Sequence, residues 1–179
     1  MEKYTFKSYS DSFPLLFIKE RKRIALHLAS SASIEHVGST AVPSLGGKGI
    51  IDIAIAIDKT GMEEAKNRLQ ELGYEFRPSF STPDRFYFII HLPDPEEGTR
   101  RYHIHLTYPE SKEWKELKGF KDFLLSNPAA LQEYADLKKK AAVEARQDGE
   151  KYRKMKEPMF QKFNASQSIQ NGKDEIENE

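Results

Sequence analysis

Apolar positions between Ser12 and Ala29 (Phe13, Leu16, Phe17, Ile24, Leu26 and Leu28) alternate with Lys19, Glu20, Arg21, Lys22 and Arg23. This spacing predicts an amphipathic helix with its charges toward solvent. Ile34 to Val37 then reads as a short strand, and Gly49 to Ile57, rich in isoleucine, as a buried central strand. Asp58 or Thr60 can cap a helix from about Met62 to Leu72 that stops at Gly73. Three further strands are predicted over Tyr74 to Arg77, Arg85 to His91 and Arg101 to Tyr108. The loops between them hold Pro83 and the turn cluster from Pro93 to Gly98. From Ser111 the pattern becomes helical: Trp114 to Ser126, then Pro128 opening a helix that continues through Ala130 to Gln147, then a last helix from about Gly149 to Phe163. The lysine run Lys138 to Lys140 reads as a solvated helix face. The predicted class is α/β (α+β), a mixed sheet flanked by helices with a C-terminal helical portion.

Composition narrows what such a fold can do. The chain has 179 residues, enough for one ordinary core, so a single domain over residues 1–163 with a polar, frayed tail over 164–179 is expected. Lys and Arg together number 28, as do Asp and Glu, so no global field draws the chain to nucleic acid or to an anionic membrane. Cysteine is absent. That excludes disulfides, thiolate zinc sites and cysteine nucleophiles, and leaves His, Asp and Glu as metal ligands. No stretch is apolar enough for a membrane span or a leader, and a soluble cytoplasmic protein is the expectation.

The chemistry concentrates between Ile34 and Ile55, in IEHVGSTAVPSLGGKGIIDIAI. Gly38 and Ser39 stand where a strand meets a short helix, with a second glycine turn at Gly46 and Gly47. Glycine allows close backbone approach, and N–H groups at a helix start favour an anion such as phosphate. Ser39 and Thr40 add hydroxyl donors. Asp52 lies inside the apolar run, where an unpartnered carboxylate would cost roughly several kcal/mol. It therefore calls for a cation: a divalent metal, or a nearby Lys, Arg or His.

This segment, EHVGSTAVPSLGGKGIIDI, resembles the GrpB family, also called UPF0157, a branch of the nucleotidyltransferase-like superfamily. The lead-in KERKRI, the strand RYHIHL, and the later NPAALQEYADLKKKAA and KYRKMK are similar too. The resemblance implies a nucleotidyltransferase-like sheet that binds a nucleotide or other phosphorylated small molecule at Gly38 and Ser39. Active members of the superfamily place two carboxylates two residues apart on one strand, with a third nearby, to hold two magnesium ions. Here Ala54 stands where the second is expected, and RYHIHL carries no acid. His103 and His105 share one face of that strand. Asp52 with the two histidines would suit a single magnesium, manganese or zinc, the softer ions better. Arg85 and Lys156 are candidate phosphate contacts. The family's occurrence fused to dephospho-coenzyme A kinase implies a link to nucleotide or coenzyme metabolism, although this chain has no GxxxxGK[ST] motif.

Each residue also has a plainer role open to it. Gly38 and Ser39 can cap a turn, and Asp52 can be a structural carboxylate held by Lys48. The histidines can form a polar sheet face, His36 can anchor its strand end, and Arg85 and Lys156 can be surface charges. Two function classes follow: a nucleotidyltransferase-like enzyme with Asp52 in its catalytic site, and a ligand-binding or regulatory module that lost catalysis with the second carboxylate.

Overall fold

Every second residue of the isoleucine-rich strand faces the same side, and that alternation builds two layers. The computed structural model describes residues 5–28, 30–146 and 148–177. Strands β1 (Ser33–Val37), β2 (Ile51–Ala56), β3 (Glu75–Phe76), β4 (Phe86–Asp94) and β5 (Gly98–Thr107) form one mixed sheet in the order β1-β2-β5-β4-β3. β2 and β5 are parallel and the other pairs antiparallel. Helices α1 (Ser12–Ala25), α2 (Met62–Glu71), α3 (Lys112–Ser126), α4 (Pro128–Glu144) and α5 (Gly149–Glu177) cover it.

Ile51, Ile53 and Ile55 are fully buried on one face, with Tyr102, Ile104 and Leu106 of β5, Phe13 and Ile24 of α1, and Met62 and Leu69 of α2. Each such side chain contributes roughly 1.5–3 kcal/mol on burial. The opposite face of β2 carries Asp52, Ala54 and Ala56. The two alanines pack with Val37 against Trp114 of α3, leaving only the Asp52 end of that face open to a cavity. Two buried polar braces fix the frame. Glu20 accepts from both Arg23 and the Tyr74 hydroxyl, and Arg23 reaches the Leu72 carbonyl at 3.0 Å. Arg100 pairs with Asp94 at 2.7 Å and reaches the Gly49 carbonyl at 2.8 Å, pinning the β4–β5 hairpin to the loop before β2.

The mixed sheet, the flanking helices and the C-terminal helical portion match the expected class. Boundaries differ in instructive places. β4 continues through Pro93, expected in a loop, because β3 pairs only with Phe88 and Ile89 and leaves Pro93 on an open edge where no N–H is needed. α1 ends at Ala25, and the His27 ring bonds back to the Arg23 carbonyl at 3.0 Å. α5 continues to Glu177, past the Phe163 end expected, since no proline follows Pro158. Ala29 and Gln147, the expected ends of the first and fourth helices, lie outside the described residues. So do residues 1–4 and 178–179 of the expected domain and tail.

Candidate functional site

β1 runs antiparallel to β2 with Val37 opposite Asp52, so the chain must turn directly beside that carboxylate. Gly38 makes the turn at φ +70°, and a β-carbon there would lie 2.5 Å from Asp52 Oδ2. Only glycine allows both the backbone angle and the approach. The single 3₁₀ turn Ser39–Ala41 follows. On the other side of β2, the parallel register sets Asp52 against His103 and Ala54 against His105. His103 Nδ1 lies 2.9 Å from Asp52 Oδ1 and His105 Nε2 lies 3.9 Å from it. The three residues named from sequence therefore converge, beside the Gly38–Ser39 turn. Burial alone would raise the Asp52 carboxyl; hydrogen bonding and charge from the two histidines outweigh it and hold the group well below the usual carboxylate range.

These side chains form part of the floor of a cavity of about 780 Å³ between the sheet and helices α3, α4 and α5, a size that suits a small-molecule ligand. Its lining joins Gly38, Ser39, Asp52, Arg85, His103, His105 and Lys156 from the sequence-derived set with Lys48, Lys138 and aromatic residues such as Phe120 and Tyr152. Arg85 is the rim's tethered cation: Nη1 reaches Glu113 at 2.8 Å and Nη2 the Phe80 carbonyl at 2.6 Å, while Nε is buried without a partner. Tyr87 packs its ring 5.2 Å from both histidines.

Two expectations are overturned. Thr40 is buried away from the cavity, its hydroxyl 3.0 Å from His36 Nε2 and donating to the Ile50 carbonyl at 2.9 Å, because the 3₁₀ turn rotates it inward. His36 is thus the strand anchor, stacked on Phe17 at 4.7 Å, with burial first and then Lys121 lowering it to about 4 despite the opposing pull of Asp52. Lys138, expected on a solvated face, is 3% exposed and donates to the Gly46 carbonyl at 2.7 Å. A signal for it existed: Ala130, Tyr134, Lys138, Ala141 and Ala145 fall on one helical stripe, and the other four are buried. Burial, then Lys156 and Lys48, lower Lys138 to about 7, with Asp52 opposing; burial, then Lys48 and Arg153, lower Lys156 to about 8, again against Asp52.

Within the expected metal set, His103 Nδ1 is hydrogen-bonded to Asp52 Oδ1 at 2.9 Å and His105 Nε2 lies 3.9 Å from the same oxygen. Among the described residues no group of three or more His, Cys, Asp or Glu side chains is arranged to hold a metal. Ala54, the position of the missing carboxylate, is fully buried in the cluster with Trp114.

Fold and site together define a mixed α/β protein with one helix-covered cavity built on a glycine turn and an Asp–His pair. The chain belongs to the GrpB family: the family model described as GrpB protein matches residues 3–166. It is 33% identical over 141 residues to the UPF0157 protein BH1888 of Halalkalibacterium halodurans, covering 77% of this chain and 69% of that protein. It is 27% identical over 175 residues to a dephospho-CoA kinase of Mycobacterium leprae, covering 80% of this chain and 42% of that protein. The crystal structure of conserved protein GrpB from Enterococcus faecalis matches with a TM-score of 0.71 at 24% identity, over 89% of this chain and 99% of that one, which shows the shared fold. Among the described residues no helix is long and apolar enough to cross a membrane.

Proposed function

We propose that this GrpB-family protein is nucleotidyltransferase-like and binds a nucleotide, or another phosphorylated small molecule, in the cavity beside the Gly38–Ser39 turn. The observation that carries the reading is the convergence of that turn, the Asp52–His103 pair and the inward-facing lysines on one cavity of about 780 Å³. Asp52 accepts the Nδ1 proton of His103, an arrangement that in the neutral ring leaves Nε2 as the acceptor. In an enzyme that nitrogen takes the proton of an attacking hydroxyl, with Asp52 as the residue that positions it. The similarity to a dephospho-CoA kinase agrees with a nucleotide-related role.

A second reading, a non-catalytic binding or regulatory module, draws on Ala54. Packed with Trp114, it stands where the two-metal arrangement would place its second carboxylate. Calorimetric titration with ATP, GTP, CTP and UTP, with and without magnesium, manganese or zinc, tests both on wild type and Asp52→Ala. Nucleotide binding accompanied by pyrophosphate release supports the enzyme; binding without turnover supports the module. Should no nucleotide bind under any condition, the nucleotide reading fails in both forms.

A further inference from the structure

We infer that the cavity contains a metal-independent polyphosphate subsite formed by Ser39, Lys48, Lys138 and Lys156, which holds two or three linked phosphates, as a nucleoside di- or triphosphate presents them. This deepens the nucleotide reading and rests on it for the ligand's remaining part.

The four residues come from separate elements and meet at one place. A β-carbon placed on Gly47 would lie 2.5 Å from Lys138 Nζ and 2.8 Å from Ser39 Oγ, so ammonium and hydroxyl flank one bare backbone position. Lys48, the next residue, has its Nζ 5.5 Å from the Tyr152 ring, and Lys156 has its Nζ 4.8 Å from the same ring. All four residues line the cavity.

Both helical lysines occupy inward stripes. Lys138 shares its face with the buried Tyr134 and Ala141, and Lys156 lies between the buried Tyr152, Met159 and Phe163 at spacings of four, three and seven residues. A lysine at such a position is ordinarily replaced by an apolar residue or paired with an acid. Among the described residues neither Lys138 nor Lys156 forms an ion pair with a carboxylate. Of the acids that line the cavity, Asp52 is engaged by the histidines, Glu113 by Arg85 at 2.8 Å, Glu116 by Lys112 at 3.4 Å and Glu150 by Lys154 at 2.8 Å, while Glu157 is exposed. Three lysines converging on one cavity, with Lys138 and Lys156 outside any ion pair among the described residues, favour a polyanion that balances them. The lowered values of Lys138 and Lys156 agree, since after burial repulsion from Lys156 and Lys48 acts on Lys138, and repulsion from Lys48 acts on Lys156. An incoming phosphate chain supplies that balance and draws protons onto the lysines. The subsite therefore performs the charge neutralisation that a second carboxylate-bound magnesium would otherwise perform.

The test is titration calorimetry of the full chain with inorganic tripolyphosphate in chelator-containing buffer. Wild type is expected to bind. Lys138→Met and Lys156→Met are each expected to weaken binding at least tenfold, whereas Lys140→Met, on the exposed face of the same run, is expected to leave it unchanged. Circular dichroism melts verify that each variant is folded, and Lys138→Arg is expected to restore part of the affinity. Repeating the titration at pH 8 in buffers of different ionisation enthalpy is expected to show net proton uptake in wild type and less in Lys138→Met. Absence of binding, binding only with added magnesium, or equal affinity for Lys138→Met and Lys140→Met overturns the subsite. If tripolyphosphate binds but no nucleoside triphosphate does, the nucleotide reading fails and the subsite stands. If nucleoside triphosphates bind and neither lysine substitution matters, the reverse holds.

Discussion

Lys138 gives the sharpest link between structure and a measurable stability. The residue is 3% exposed, and burial followed by repulsion from Lys156 and Lys48, against the pull of Asp52, lowers its ammonium from 10.5 to about 7. The unfolded chain then binds more protons than the folded one between about pH 7 and 10.5, so stability must rise with pH across that window. At about 1.4 kcal/mol per pH unit, the penalty at pH 7 and below is about 3–5 kcal/mol, vanishing above 10.5. Lys138→Met removes this penalty but leaves the Gly46 carbonyl without its donor, a cost of about 1–3 kcal/mol. The variant is therefore expected to be about 1–3 kcal/mol more stable than wild type at pH 7, with the advantage shrinking and reversing toward pH 10. Urea denaturation of both proteins at pH 7, 8, 9 and 10 measures it. The tyrosines titrate in both chains and cancel in the difference, which reports Lys138 together with its coupling to Lys156. A difference that stays constant over this range would refute the reasoning.

Three other substitutions probe the frame of the site. His36, lowered to about 4, makes the wild type lose roughly 3 kcal/mol as pH falls from 6.5 to 4, because only the unfolded chain takes up the proton there; acid denaturation of His36→Gln should lack that component. Gly38→Ala should destabilise by about 2 kcal/mol or more in urea, and displace Asp52, because it adds a β-carbon 2.5 Å from Oδ2 at φ +70°. Ala54→Asp recreates the two-residue carboxylate spacing but drives a charge into the contact with Trp114; thermal melts should show a loss of roughly several kcal/mol rather than a gain of metal-dependent stability.

The sheet was legible because β2 carries isoleucine on every second residue, and the pairing of His103 with His105 on one face followed from the same period. What the sequence left out was register. That Asp52 sits opposite His103 depends on β2 and β5 running parallel, a pairing between strands about fifty residues apart. The inward turn of Thr40 is not legible in the sequence, because a hydroxyl beside Ser39 gives no sign of which way one 3₁₀ turn will rotate it. Lys138 was hidden by its neighbours: Lys139 and Lys140 are solvated, and only the stripe through Tyr134 and Ala141 separates the third lysine from them. The absent second carboxylate is visible at Ala54, but the packing of that position against Trp114, sixty residues away, belongs to tertiary structure.

The central claim, that a nucleotide seats its phosphates beside the Gly38–Ser39 turn, is tested most directly by two-dimensional amide NMR during titration with ATP in the presence of chelator. The amides of Gly38, Ser39, Gly46, Gly47 and Lys48 should show the largest shifts, saturating together. Saturation with those amides unmoved, or no shift anywhere, would contradict it.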